Sequence, residues 1–156
     1  MGFSLKSHDF NDGEVLNKRY SCEGDDMSPD LEWDGSPQGT RSYALIVEDP
    51  DAPGEVFTHW IVFDMPATFK HLDRGMGNDH DLKDGIKQGA TDFGHTGYGG
   101  PCPPRGHGRH RYNFIIKALD IPTLGLTDGA EKSDVLKAIK GHILGESRIT
   151  GVFERR

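Results

Sequence analysis

Asp49, Asp51, His59, Cys102 and His110 are the residues whose types and settings could do chemistry in this chain. Cys102 and His110 fall in one stretch, Tyr98 to Phe114, which opens on glycines and prolines and closes on an apolar run. Between its two ends lie Arg105, His107, Arg109, His110 and Arg111, the densest cationic cluster in an otherwise acidic protein. A stiff loop that brings imidazoles and backbone N–H groups to the mouth of a strand suits a small anion, because its donors are already aimed. Asp49 and Asp51 belong to a second stiff segment, Asp49-Pro50-Asp51-Ala52-Pro53. Here two prolines fix φ and hold the residues before them away from helix. Asp51 reads first as a turn residue satisfying local N–H groups. Asp49 reads first as functional, accepting from a histidine and setting its tautomer. Small-anion affinity from so few bonds at an exposed mouth is expected at roughly 10 µM to 1 mM, strengthening as pH falls through about 6–7.

Strands must position these residues. Ser42 to Val47 and Val56 to Met65 are β-rich and lack helix caps, so they read as buried strands joined through the acidic proline segment. Alternation along the second puts His59 on the face of Phe57 and Ile61, opposite Trp60 and Val62. Arg111 to Leu119 is a third strong strand, and Gly85 to Ala90 and Arg148 to Phe153 are shorter ones. One segment reads as helix, with Thr127 as N-cap and Val135, Leu136, Ile139, Ile143 and Leu144 at helical spacing. The pattern predicts a mostly β fold, a sandwich with one peripheral helix near the C-terminus.

The 156 residues fit one domain, 1–156. A formal net charge of −7 argues against a nucleic-acid binder, and a mean hydropathy of −0.62 against a membrane span. The N-terminus has no apolar core of signal-peptide length, and two cysteines are too few for a disulfide framework. Cytoplasmic residence with reduced thiols is therefore expected, a single Cys22–Cys102 bridge remaining open.

The ordered series DPDAP, THW and a GPCPP loop closing in GRHRY resembles the phosphatidylethanolamine-binding protein (Raf kinase inhibitor protein) family. Its opening FSLKSHDFNDGEVLNKRYSCEGDDMSPDLEW and closing ILGESRITGVFERR look like the short bacterial and archaeal members. The resemblance implies a Greek-key β-sandwich with an anion pocket at one end. It places Asp49, His59 and His110 in that pocket, with Cys102 where the family loop offers a backbone N–H. It also implies cis bonds at Pro53 and Pro103, and Tyr112 packed beside His110. The expected ligand is a phosphate, a phospholipid head group or a phosphorylated partner, with a kinase or protease as protein partner and a homodimer as an option.

No cofactor and no catalytic turnover are expected. The competing reading is a hydrolase in the same pocket. It would use Cys102 as nucleophile and His110 as base, or a metal held among Asp49, His59, His107 and His110. HExxH, Walker A and GxSxG sequences are absent. His8, His71, His80, His95 and His142 read as solvated.

Overall fold

The structure is a computed structural model, and it describes residues 2–79 and 82–156; His80 lies outside them. The chain forms β1 (Ser4–Lys6), β2 (Leu31–Asp34), β3 (Ser42–Asp49), β4 (Phe57–Pro66), β5 (His71–Leu72), β6 (Lys87–Gln88), β7 (His110–Leu119), the helix α1 (Lys132–Ile139) and β8 (Ile143–Phe153). A small sheet has the order β1-β2-β5 and a large one β6-β4-β3-β7-β8, with antiparallel pairing throughout. The fold is thus mostly β, with two antiparallel sheets and one late helix.

Alternation along β3 explains why the large sheet is covered on both faces. Tyr43, Leu45 and Val47 pack into the main core with Trp33, Trp60, Tyr112 and Phe114, while Ala44 and Ile46 pack with Ile61, Phe63, Val135 and Ile139 of the helix side. With apolar side chains on both faces, β3 reads as a nearly continuous apolar run.

Two β-bulges in β4 interrupt its alternation. Tyr43 pairs with Met65 and Leu45 with Val62, so β4 carries one extra residue there, and Asp64 sits in it at φ 57°. Met65 is thereby turned into the main core. The Asp64 carboxylate accepts from Lys87 Nζ, Thr123 Oγ1 and the Leu124 N–H at 2.8–2.9 Å. At the other end Val47 pairs with Trp60 and Glu48 with Thr58, which leaves His59 as the extra residue.

The helix is shorter than its sequence pattern. Its N-cap is Glu131, not Thr127, because Gly129 takes φ 84° and gives its N–H to the Gln88 carbonyl. Gly141, at φ 83°, ends the turn after the helix, and Ile143 then joins β8, pairing with Leu119. The apolar spacing from Val135 to Leu144 therefore spans two elements.

Cys22 and Cys102 form a disulfide, which corrects the reduced-thiol expectation. Their backbones are already held together by the Cys22 N–H to Pro101 carbonyl bond, so the Cα atoms lie 5.4 Å apart, within bridging range. Every peptide bond among the described residues is trans, which corrects the cis expectation at Pro53 and Pro103. The proline loops take their shape instead from turn hydrogen bonds and from Gly54 at φ 88°, and trans is the lower-energy form even before proline.

Candidate functional site

Three strand ends meet at one end of the large sheet. Asp49 ends β3, His110 begins β7, and His59 is the bulged residue near the start of β4. Since β3 pairs antiparallel with both β4 and β7, its last residue necessarily lies beside the first residues of the other two. The cavity at this end measures about 210 Å³. Asp49, Ala52, Pro53, Phe57, His59, Phe93, Cys102, Pro103, Pro104, His110 and Tyr112 line it. All four expected anion-binding residues are on that wall. Of the four expected supports, Pro53, Pro103 and Tyr112 are there and Asp51 is not.

Asp51 has a different use. Its carboxylate accepts from the backbone N–H, Nε and Nη2 of Arg111, and the Arg111 hydrogen bonds hold its pKa down at about 2. This pair fastens the 49–53 corner to the start of β7. Arg109 and Arg105 also face carboxylates, Glu154 and Glu23, each at 3.8 Å. The cationic cluster is therefore largely paired at the surface.

The bulge re-aims His59. Alternation would group its ring with Ile61, which packs under the helix. The ring instead meets Phe57, Phe93 and Tyr112 at centroid distances of 5.0–5.2 Å. His59 Nδ1 donates to the Gly99 carbonyl at 2.8 Å, so Nε2 is its free ring nitrogen. Burial pushes its pKa below the usual histidine range, which keeps the ring neutral and Nε2 an acceptor near pH 7.

Asp49 is buried, and both of its oxygens are engaged. Oδ1 accepts the Asp51 N–H at 2.7 Å, and Oδ2 accepts from His110 Nδ1 at 2.6 Å. His110 Nε2 lies 2.6 Å from Nδ1 of His107, a contact that sequence reasoning missed. The spacing His107-Gly108-Arg109-His110 could have hinted at it, since a tight glycine turn brings i and i+3 together. Tyr112 Oη, also buried, makes no close hydrogen bond and faces the Asp49 carboxylate. Burial, reinforced by the Asp49 charge, raises the phenol pKa, so it stays an O–H donor.

The proline loop forming the opposite wall is fixed by the Gly99 N–H to the His59 carbonyl, the Gly100 N–H to Asp26 Oδ1, Arg155 Nε to the Pro103 carbonyl, and the disulfide. Gly100 is required there, since a Cβ would lie 2.2 Å from the Tyr20 carbonyl oxygen. With Sγ of Cys102 bonded to Cys22, the cavity holds no cysteine thiolate to act as nucleophile. Among the described residues no group of three or more His, Cys, Asp or Glu is arranged to hold a metal ion. Of the histidines expected to be solvated, His8, His71, His95 and His142 stand at the surface. His71 and His142 face Asp30 and Asp120 there, and His95 stacks on Phe93.

Fold and site together define a class. The chain matches the phosphatidylethanolamine-binding protein family profile over residues 6–154, and it belongs to that family. It is 47% identical to a UPF0098 protein of Aquifex aeolicus over 149 residues, 96% of this chain and 86% of the relative. The crystal structure of Escherichia coli YbcL, described as a member of the mammalian PEBP family, superposes with a TM-score of 0.94 at 35% identity, covering all of both chains. A carboxypeptidase Y inhibitor, solved in complex with its cognate proteinase, shares the fold alone. Its TM-score is 0.56 at 16% identity, over 99% of this chain and 83% of that one. No helix among the described residues is long and apolar enough to cross a membrane.

Proposed function

We propose that the cavity binds a small anionic or phosphorylated group and that the protein acts by binding, without turnover. The observation that carries this reading is the buried Asp49–His110 pair beside His59 in a wall otherwise built of proline and aromatic side chains. Tyr112 supplies an O–H with no close hydrogen-bond partner, and His59 Nε2 can receive a proton from an acid anion or take one from solvent and then donate. Binding is thereby coupled to protons. A phosphate monoester, a phospholipid head group or a phosphorylated side chain all present the same chemistry.

The apolar mouth at Phe57, Phe93 and Pro104 favours a ligand carried on a larger body, a protein partner included. The inhibitor–proteinase complex formed by a relative of the same fold supports a protease as such a partner, and a kinase is the alternative. The cytoplasmic expectation rested on the N-terminal residues and on too few cysteines for a disulfide framework; the Cys22–Cys102 bridge favours an oxidising setting.

The test is a phosphate and phosphoethanolamine titration followed by NMR on the native protein, His59→Ala and His110→Ala, each with and without EDTA. Shifts around Asp49, His59 and Cys102 that vanish in both variants and ignore EDTA are expected. Shifts that require added zinc would overturn the reading in favour of a metal site.

A further inference from the structure

We propose that His107 gates the anion site by occupying the ring nitrogen of His110 that a ligand needs. This rests on the anion reading above and assigns its regulation to one residue.

The argument begins with the number of partners one imidazole nitrogen can hold. Each ring nitrogen has either one in-plane N–H or one in-plane lone pair, so it holds one hydrogen-bond partner at a time. Asp49 Oδ2 is a carboxylate oxygen and only accepts, so His110 Nδ1 carries a proton and is committed to it at 2.6 Å. Nε2 is then the single remaining polar atom of a ring that is 2% exposed, and His107 Nδ1 sits on it at 2.6 Å with the rings edge to face. In the neutral ring His107 donates to Nε2; in the cationic ring Nε2 donates to His107. In the neutral ring a proton-bearing acid anion, and in the cationic ring any anion, competes with His107 for the same atom.

The backbone around His107 is built to let it leave. Gly106 and Gly108 flank it at φ 75° and 88°, and a Cβ at either would meet nothing within 4 Å. Both flanking residues thus sit in left-handed conformations that glycine tolerates, in open space. The segment is anchored just outside the turn, by the Gly106 N–H to the Arg155 carbonyl on one side and by the His110–Phe153 strand pairing on the other. The His107 N–H to Pro104 carbonyl bond of 3.1 Å closes the turn. His107 is itself exposed, so letting go of His110 opens no buried site of its own.

The test is calorimetric titration of inorganic phosphate into the native protein, His107→Ala and His107→Gln at one fixed pH, with imidazole nitrogen NMR on the native protein. The alanine variant is expected to bind phosphate about 3- to 10-fold more tightly, the worth of one displaced hydrogen bond. Glutamine, which can still reach His110, should fall between the two. The His107 and His110 ring nitrogens should shift together as phosphate saturates the native protein. Equal or weaker binding by the alanine variant, or a His107 ring indifferent to phosphate, overturns the gate while leaving the anion site standing. Absence of binding in all three proteins removes the anion reading, and the gate with it.

Discussion

Asp49 and His110, 61 residues apart in the chain, meet at one end of the large sheet with Oδ2 and Nδ1 2.6 Å apart, the residues 3% and 2% exposed. The contact follows from strand direction. β3 ends where β7 begins, and the register that pairs Glu48 with Asn113 carries Asp49 alongside the first residues of β7. A carboxylate so buried holds its place only while its oxygens are hydrogen-bonded.

Replacing that carboxylate tests the pair. Asp49→Asn keeps one acceptor oxygen where the Asp51 N–H and His110 Nδ1 use two, sets an NH2 in place of the other, and leaves the ring free to flip or change tautomer. Phosphate affinity should fall at least about tenfold, and stability by about 1–3 kcal/mol, the range for a buried hydrogen bond to a charged group. Calorimetry and urea denaturation on one preparation check both.

The burial of His59 sets a sign for acid sensitivity. Its folded pKa lies below the unfolded value of 6.5, so between the two the unfolded chain binds more protons. Its contribution to stability is complete above about pH 6.5 and declines as pH falls below it. The thermal midpoint should drop less between pH 8 and pH 5 in His59→Gln than in the native protein. Phosphate, by contrast, should bind more tightly over the same fall in pH, with proton uptake visible as a dependence of the binding enthalpy on the buffer's ionisation heat.

The disulfide closes a loop across a separation of 80 residues and ties the pocket wall to the turn after Tyr20. A loop of that size gives a Cys22→Ser/Cys102→Ser double variant a loss of about 2–4 kcal/mol. The backbone bonds at Gly99, Gly100 and Pro101 remain, so phosphate affinity should change by no more than about threefold. A loss of all binding on reduction would show that the bridge, and not those bonds, holds the wall.

Asp64→Ala removes the hub of the other bulge in β4. It strands the Leu124 N–H, removes the acceptor of Thr123 Oγ1 and places a Cβ-bearing residue without a local acceptor at φ 57°. The expected cost is about 2–4 kcal/mol by denaturant unfolding. Asp64 lies at the opposite end of β4 from His59, so anion affinity should stay within about twofold.

Much of this was open to reading in the chain itself. The runs at Ser42–Val47, Val56–Met65 and Arg111–Leu119 become the three central strands, the first two buried on both faces and the third alternating, with Tyr112, Phe114, Ile116 and Ala118 turned into the main core. Proline-stiffened corners at 49–53 and 101–104 marked the two walls of the cavity. The helix was misjudged at both ends, since left-handed turns at Gly129 and Gly141 depend on pairing with Gln88 and on the run into β8, neither of which is a local property.

The sequence by itself determined the strands, the two stiff loops and the residue types at their ends, because side-chain alternation and proline sterics act over a few residues. Tertiary structure alone decided the rest. The bulge at His59 turns its ring away from Ile61 and toward Tyr112, since only pairing with β3 reveals an extra residue. The Cys22–Cys102 bridge depends on a backbone contact across 80 residues, and Asp51 went to Arg111 instead of to the cavity. His107 came to rest on His110 through a turn between two glycines, where the one nitrogen left free by Asp49 was waiting for a partner.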